Sequence, residues 1–323
     1  MTAPVPVILD VDTGVDDACA LLLAAMHPAV DLRAVTCVGG NASVDDVVGN
    51  TLKVLDTAGR GDVPVARAAS PLLEPVRQAL HVHGDDGMAD LGWPASSRRP
   101  DPRHAVELLR DLLGQAASGG PSDLITLVPL APLTNIALLL RTYPAASAGL
   151  REIVFMGGAA HAGNATASAE FNVWHDPEAA AIVLEAAGEL SIPVVMYGLD
   201  VFYDVVITRA QAFELMAVGG RGLAGRLIDF QCGRFGTPHA TIGDAGAVCA
   251  VTTRLPVRVE LAGAYSRGRT IVDRRDWSGD IAHDPHGVSP TSVEVALSVD
   301  AGRYADLWLR TVSCPPPLMV EMP

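Results

Sequence analysis

Four carboxylates stand within eight residues near the start of the chain, in the segment Asp10-Val-Asp12-Thr-Gly14-Val-Asp16-Asp17. Carboxylates packed this closely repel one another and raise each other's pKa unless a cation neutralises them. A set of oxygen ligands favours Ca²⁺ or Mg²⁺ over zinc. The competing interpretation is a solvated acidic turn that caps a helix, because aspartate stabilises a helix N-terminus by itself. The segment follows a buried, strand-like stretch, and we therefore favour a metal site.

The elements that must position this segment alternate along the chain. Short β-branched runs predict strands at 5–11, 31–38, 63–67, 124–130, 151–157 and 192–198. Amphipathic stretches predict helices at 16–26, 44–58, 104–117, 133–141 and 177–190. This order indicates an α/β fold with an open, mostly parallel central sheet flanked by helices. Polar clusters follow the carboxyl ends of several of these strands, where open parallel sheets bind ligands, so one shared site is expected there.

The order of elements changes after about residue 200. Helices are predicted at 208–217, 221–232 and 244–253, followed by strands at 257–263 and 269–273 and by a terminal strand and helix within 292–312. We expect this helical C-terminal part to cap the site. No repeat or low-complexity linker interrupts the chain, and residues 1–323 are predicted to form a single domain.

Composition limits the partners and the compartment. The formal net charge of -14 would repel nucleic acid and anionic membranes, and no cluster of basic residues offsets it. A small neutral or cationic substrate is therefore expected. The five cysteines lack C-x-x-C spacing and are predicted to be reduced, and no apolar stretch approaches the roughly 20 residues of a membrane helix. These features predict a cytoplasmic protein.

The segment D-V-D-T-G-V-D-D-A resembles the N-terminal signature of the inosine-uridine preferring nucleoside hydrolase family, with threonine where proline is usual. Other matching segments, in the same order, are V-G-G-N-A, H-V-H-G-D-D-G-M, L-V-P-L-A-P-L-T-N-I-A, M-G-G and G-N-A-T-A-S-A-E-F-N-V-W-H-D-P-E-A-A. The resemblance spans nearly the whole chain. It implies a Rossmann-like fold and calcium-dependent hydrolysis of ribonucleosides to free base and ribose, in a homodimer or homotetramer.

The resemblance also implies roles for individual residues. Asp12 matches the general base on the attacking water, and Asp10 matches a supporting carboxylate. The implied ligands of Ca²⁺ are Asp12, Asp17, Asp244 and the main-chain carbonyl of Leu130. The implied substrate-binding residues are Asp16, Asn41, Met156, Asn164, Glu170, Asn172, His83 and His239, and Asn164 is also assigned to catalysis. Phe230, Phe235 and His81 lie in regions that approach the nucleobase in relatives.

One position departs from the family pattern. In many relatives a histidine that protonates the leaving base precedes the remote aspartate, whereas this chain has Gly243 before Asp244. Glycine cannot donate a proton, and the loss of general acid catalysis alone costs on the order of 10² to 10⁴ in rate. His239, four residues earlier, is the most available substitute.

Two alternatives to a nucleoside hydrolase remain open at this point. Gly243 motivates a nucleoside or ribose binding protein that has lost catalysis, although such a protein would not need the predicted metal carboxylates. Asp10-Val-Asp12 after a strand also resembles the nucleophile motif of haloacid-dehalogenase-type phosphatases. That chemistry normally requires a lysine well downstream, and the only lysine of this chain is Lys53, in an early predicted helix.

Overall fold

The computed structural model describes residues 3–68, 78–217, 222–247, 251–273 and 292–313. The strands are β1 (Val5–Val11), β2 (Val30–Cys37), β3 (Val65–Arg67), β4 (Ile125–Pro129), β5 (Leu150–Met156), β6 (Val194–Tyr197), β7 (Val206–Thr208), β8 (His239–Thr241), β9 (Val251–Val259), β10 (Thr270–Val272) and β11 (Ser292–Ser298). The helices are α1 (Val15–Met26), α2 (Val44–Thr57), α3 (Leu80–His83), α4 (Ala105–Ala117), α5 (Thr134–Thr142), α6 (Phe171–His175), α7 (Pro177–Glu189), α8 (Leu199–Phe202), α9 (Arg209–Ala217), α10 (Gly222–Phe235), α11 (Gly243–Gly246) and α12 (Ala301–Ser313). A 3₁₀ helix, Pro144–Gly149, precedes β5.

The central sheet has nine strands in the order β10-β9-β11-β6-β5-β4-β1-β2-β3. The seven strands from β11 to β3 are parallel, and β9 and β10 join one edge in antiparallel pairing. This confirms the predicted open, mostly parallel sheet. The chain runs outward from β1 through β2 to β3 and then returns to place β4 on the other side of β1. The strand order therefore reverses between β1 and β4, and such a reversal leaves a crevice beyond the carboxyl ends of the strands.

The apolar character of β1 follows from its position inside the sheet. Alternate side chains of a strand point to opposite faces, and here Leu9 packs into the apolar cluster on one face while Ile8 packs into the cluster on the other. Helix α1 covers the first of these faces, and ten of its 12 residues are buried. The Asp-rich segment between β1 and α1 is thus held by two buried elements.

The structure corrects one prediction for the C-terminal part and adds one feature that was not predicted. The helix predicted at 244–253 is wrong in its extent, because α11 ends at Gly246 and the chain is in strand β9 from Val251 onward. The run Val251-Thr252-Thr253 is β-branched, and such residues favour a strand over a helix. The small two-stranded sheet of β7 and β8 was not predicted at all. The C-terminal part is consequently a mixture of helices and strands.

Candidate active site

The turn between β1 and α1 is shaped by close approaches to a glycine. Gly14 caps α1, and its backbone N–H donates to Asp17 Oδ2 at 2.9 Å. A Cβ atom at this position would lie 2.6 Å from Nδ1 of His83 and 2.9 Å from Nδ2 of Asn41. Glycine is therefore the residue that lets both side chains close over the turn.

Asp12 is fully buried and is held by the loop that follows β2. Its Oδ2 accepts from the backbone N–H of Asn41 at 2.7 Å, and its Oδ1 accepts from the Asn41 side-chain amide at 3.1 Å. The same amide lies 3.2 Å from Asp17 Oδ2. Gly40 makes this approach feasible, because a Cβ there would lie 2.0 Å from Asp12 Oδ2. The ends of β1 and β2 thus jointly orient the carboxylate that was predicted to be the base.

Three carboxylates converge beside Asp12. One oxygen from each of Asp16, Asp17 and Asp244 lies within 4.8 Å of the other two, and Asp17 and Asp244 are buried. Burial, reinforced by the negative charge of Asp16, raises the pKa of Asp17 to about 8. Burial and the neighbouring carboxylates also raise the pKa values of Asp12 and Asp244 well above their usual range. This group and Asp12 are called the carboxylate floor below.

The carboxylate floor fits a hard divalent cation. Asp17 Oδ1 is buried and has no hydrogen-bond partner among the described residues, so its lone pairs are available to bind a cation. Carboxylates that crowd together away from water need a positive charge in order to stay ionised together. The structure groups Asp16 with Asp17 and Asp244, whereas the predicted ligand set contained Asp12 and not Asp16.

The ends of β4 and β5 carry a second group of polar contacts. The side-chain amide of Asn172 donates to the carbonyl of Leu130 at 2.9 Å and lies 3.2 Å from the carbonyl and 3.3 Å from the sulfur of Met156. The structure therefore brings together these three residues, which were predicted as metal and ribose contacts. Leu130 is also tied to β1, since its N–H donates to the carbonyl of Asp10 at 2.8 Å.

Glu170 caps helix α6 from the same side. It accepts backbone N–H groups of Asn172 at 2.8 Å, Gly158 at 2.9 Å and Val173 at 3.1 Å. Burial raises its pKa to about 7, against the opposing effect of these hydrogen bonds. The carboxylate fixes the loop that leaves β5 to the helix that carries Asn172.

Asp10 lies behind the site rather than in it. Its Oδ1 accepts from Thr36 Oγ1 at 2.5 Å and from the Asn135 amide at 2.7 Å, while its Oδ2 is buried without a partner in the described part of the chain. Burial raises its pKa to about 7. Through these contacts Asp10 links β1 to β2 and α5, and its supporting role stays a prediction.

The predicted histidines differ sharply in their surroundings. His83 is buried in α3, its Nδ1 accepts from the N–H of Val15 at 3.1 Å, and the same atom lies 3.9 Å from Asp16 Oδ1. The proton of the neutral ring is thus on Nε2, and burial lowers the pKa of His83. His239 is instead exposed on β8, and His81 is exposed as well. The described contacts do not link His239 to the carboxylate floor.

The space beside Gly243 is occupied by an aromatic ring that was not predicted to belong to the site. A Cβ atom at position 243 would lie 2.0 Å from Cδ2 of Phe202, which is buried in α8. The ring of the next residue, Tyr203, packs edge-on against Phe202 with centroids 5.2 Å apart. Asn164 is exposed in the loop after β5, and its Oδ1 accepts from the N–H of Phe171 at 2.9 Å. We call Phe202 and Tyr203, together with Gly243, the aromatic rim. Phe202 and Tyr203 follow shortly after β6, at the ligand edge of the sheet, and this position was the available sequence signal.

The fold and the site together define a class of protein. A parallel sheet that holds buried carboxylates at its switch point is suited to binding a small ligand with the help of a cation. The sequence model of the inosine-uridine preferring nucleoside hydrolase family matches residues 7–306, and the chain belongs to this family. Members of the family are N-glycosidases that act on ribonucleosides. The phosphatase alternative is therefore withdrawn.

Individual relatives agree with this assignment. The inosine-uridine preferring nucleoside hydrolase of Leishmania major is 41% identical over 84% of this chain and 88% of its own length. The non-specific ribonucleoside hydrolase RihC of Salmonella heidelberg is 36% identical over 98% of this chain and 100% of its own. A solved plant nucleoside hydrolase superposes with a TM-score of 0.84 at 27% identity, covering 97% of this chain and 100% of the plant chain. Among the residues that the structure describes, no helix is long and apolar enough to span a membrane.

Proposed function

We propose that this chain hydrolyses the N-glycosidic bond of ribonucleosides with Asp12 as general base. The observation that carries the proposal is the carboxylate floor, in which a buried, oriented Asp12 lies beside three converging carboxylates. Each oxygen of Asp12 accepts from Asn41 and keeps lone-pair capacity for a water molecule. Asp12 takes a proton from that water as the water oxygen attacks C1′ of the ribose.

The cation of this site is proposed to be Ca²⁺, held by Asp12, Asp17, Asp244 and the carbonyl of Leu130. The all-oxygen donor set and the unpartnered Asp17 Oδ1 support this choice. When bound, the ion would supply the positive charge that acidifies a nearby water molecule. The side-chain amide of Asn172 donates to the Leu130 carbonyl and would help to fix the position of that oxygen.

The ribose is proposed to lie over the ends of β1, β2 and β5. A polyol needs partners that both donate and accept, and the surrounding amides and carboxylates provide both. The side chains proposed to contact it are Asp16, Asn41, Met156, Asn164, Glu170 and Asn172. As the C1′–N bond lengthens, the sugar gains oxocarbenium character, which carboxylates stabilise electrostatically. His83, with its Nε2 proton, and His239 are proposed to face the base.

The proposal also covers the location, the substrate class and the assembly of the protein. Cys19, Cys37 and Cys232 are free and buried, which supports a reducing compartment and thus a cytoplasmic location. The net charge of -14 supports a small-molecule substrate over nucleic acid. We also propose that the chain forms a single domain. By resemblance to the family, we propose that it assembles as a homodimer or homotetramer.

The test is the release of ribose from inosine and uridine, measured with a reducing-sugar assay. We expect turnover that stops with a chelator and returns when Ca²⁺ is added in excess. Binding of nucleoside without release of ribose under any of these conditions would instead favour the alternative of a binding protein that has lost catalysis.

A further inference from the structure

Thr13 stands in the Asp-rich turn where proline is usual in the family signature, and its side chain is fully buried. Proline fixes the backbone through its ring and brings no side-chain hydrogen-bonding group. Threonine restricts the backbone less and brings a hydroxyl group. Because a buried hydroxyl without a partner is unfavourable, the hydroxyl of Thr13 has to be satisfied within the fold.

The partner of this hydroxyl is a second threonine, on helix α2. Thr13 Oγ1 lies 2.7 Å from Thr51 Oγ1, and both side chains are fully buried. Thr51 Oγ1 donates to the carbonyl of Val47 at 2.8 Å. A hydroxyl has only one hydrogen, so Thr51 accepts in its contact with Thr13, and Thr13 is the donor. The hydrogen bond therefore has a defined direction, from the turn to the helix.

The residues on either side of Thr13 belong to the carboxylate floor or hold it in place. Asp12 precedes Thr13, and both of its carboxylate oxygens accept from Asn41 in the loop that leads into α2. Gly14 follows Thr13, and its N–H donates to Asp17 Oδ2 at 2.9 Å. A change in the backbone at Thr13 would therefore move a contact of the floor on each side.

Helix α2 and the loop before it thus hold the turn at two points. Asn41, just before the helix, binds the carboxylate of Asp12, and Thr51, about two turns into the helix, binds the next residue along the chain. Seven of the 14 residues of α2 are buried, so the helix is itself anchored in the core. A single contact would leave the turn free to rotate about it, whereas two contacts fix its direction.

We propose that Thr13 is a positioning residue, whose hydrogen bond to Thr51 holds Asp12 in the orientation that its role as general base requires. The inference rests on the function proposed above. In this chain a tertiary hydrogen bond supplies the restriction that the proline ring supplies in relatives. Thr13 exchanges no proton with the substrate. Its hydrogen bond should therefore affect the attack of water on every riboside, whatever the leaving group.

The competing interpretation is that the two threonines only fill the core between the turn and α2. Thr13→Val separates the two interpretations, because valine has nearly the shape of threonine and lacks the hydroxyl. If the pair only fills space, this variant loses some stability and keeps its kinetic constants and its affinity for Ca²⁺. If the hydrogen bond positions Asp12, the variant loses activity, and a hydroxyl returned by Thr13→Ser restores it.

The experiment compares Thr13→Val, Thr13→Ser, Thr51→Val and the double valine variant with wild type. Thr126→Val is the matched control, since it also removes a threonine hydroxyl that contacts another element, here Glu152 at 3.2 Å near the start of β5. Steady-state kinetics are measured on inosine and on p-nitrophenyl riboside, whose leaving group needs no proton. Calorimetric titration of the chelator-stripped protein with Ca²⁺ provides a second readout that does not depend on turnover. Thermal unfolding checks that each variant is folded.

For Thr13→Val we expect kcat to fall roughly 5- to 50-fold on both substrates with KM within about 2-fold of wild type, because a displaced base slows the attack of water. Thr13→Ser should keep at least about half of wild-type kcat, since the hydroxyl is present again. The double variant should be no more than about 2-fold slower than Thr13→Val, since Thr51→Val removes the same hydrogen bond. The dissociation constant of Ca²⁺ should rise at least about 3-fold in Thr13→Val, because Asp12 and Asp17 are both proposed ligands.

The proposal is overturned if Thr13→Val matches Thr126→Val in kcat and in Ca²⁺ affinity, if Thr13→Ser fails to restore both, or if the losses of the two valine variants multiply in the double variant. Should Thr13→Val not fold, Thr51→Val takes its place, since it removes the hydrogen bond from the other side. A wild-type protein that cleaves neither substrate would reject the proposed function itself, and the Ca²⁺ titration alone would then decide whether Thr13 positions the carboxylates.

Discussion

The carboxylate floor and the aromatic rim meet at α11, where Asp244 belongs to one and Gly243 to the other, yet they are built in different ways. The floor is held by backbone N–H groups and by glycines that allow close approach, as at Gly14 and Gly40. The rim is held by ring packing between α8 and α11. In the floor, the negative charges of the carboxylates must be placed accurately, whereas the rim depends only on the fit between a ring and the space beside a glycine. Such a fit can be kept when both partners change together, and in the rim the chain departs from the family pattern.

Removal of Asp12, the proposed general base in the carboxylate floor, should have the largest effect on activity. For Asp12→Ala we expect kcat to fall on the order of 10³ or more on natural and activated ribosides alike, because both need an activated water. Steady-state kinetics on both substrates provide the measurement, and Glu214→Ala, an exposed carboxylate on α9, is the control. If Asp12→Ala kept a tenth of wild-type kcat, the assignment of the base would be wrong.

Removal of the cation should come next. Metal analysis of the purified protein is expected to find about one Ca²⁺ per chain, and Asp17→Ala should lose it. A ligand present at 100 times its dissociation constant stabilises the folded state by about 2.7 kcal/mol, so a chelator should lower the thermal midpoint by several degrees. Stoichiometric zinc without calcium would contradict the oxygen-ligand assignment.

The chelated protein should also depend on pH in a defined direction. Burial and the charge of Asp16 raise the pKa of Asp17 from 3.8 to about 8, so the folded chain binds this proton more tightly than the unfolded chain. The stabilising contribution is complete below the unfolded value of 3.8 and is lost as the pH rises toward about 8. Thermal midpoints measured with chelator between about pH 5 and pH 8 should therefore fall, and added Ca²⁺ should flatten the slope. A rising midpoint would contradict this account.

The substitution Gly243→His should affect the stability of the fold more than the chemistry. For Gly243→His we expect a loss of about 1 to 3 kcal/mol in the free energy of unfolding, because the new side chain overlaps the ring of Phe202. Urea unfolding measures the loss. The double variant Gly243→His with Phe202→Ala should recover part of it, since the ring is then absent. Equal stability of Gly243→His and wild type would show that the rim is not closed.

The smallest effect is expected at His239. Its side chain is exposed on β8, where exposed substitutions usually change stability by less than about 0.5 kcal/mol. The described contacts do not link His239 to the carboxylate floor, so we expect it to face the base without donating a proton, and His239→Ala should keep kcat on inosine and uridine within about 2-fold of wild type. A selective loss on these nucleosides, with p-nitrophenyl riboside unaffected, would restore His239 as the substitute acid.

The sequence was informative where local chemistry decides the structure. The parallel sheet and the Asp-rich turn were predictable because β-branched runs and helical periodicity are local signals, and because aspartates so close in sequence must also be close in space. The helix predicted at 244–253 failed, since periodicity alone does not separate a short buried helix from the start of a strand. Strand β9 instead begins at Val251 and pairs with β11 at the sheet edge.

By itself the sequence determined the family, the sheet and the set of carboxylates, because these depend on residue types whose order along the chain is preserved. Only the tertiary structure decided which oxygens converge, since Asp244 joins Asp16 and Asp17 from a helix more than 200 residues away. It also decided what stands in the place of the missing histidine. Phe202 and Gly243 are far apart in sequence, and neither residue predicts the other. The ring of Phe202 fills the space beside Gly243 only because packing in the folded chain brings the two together.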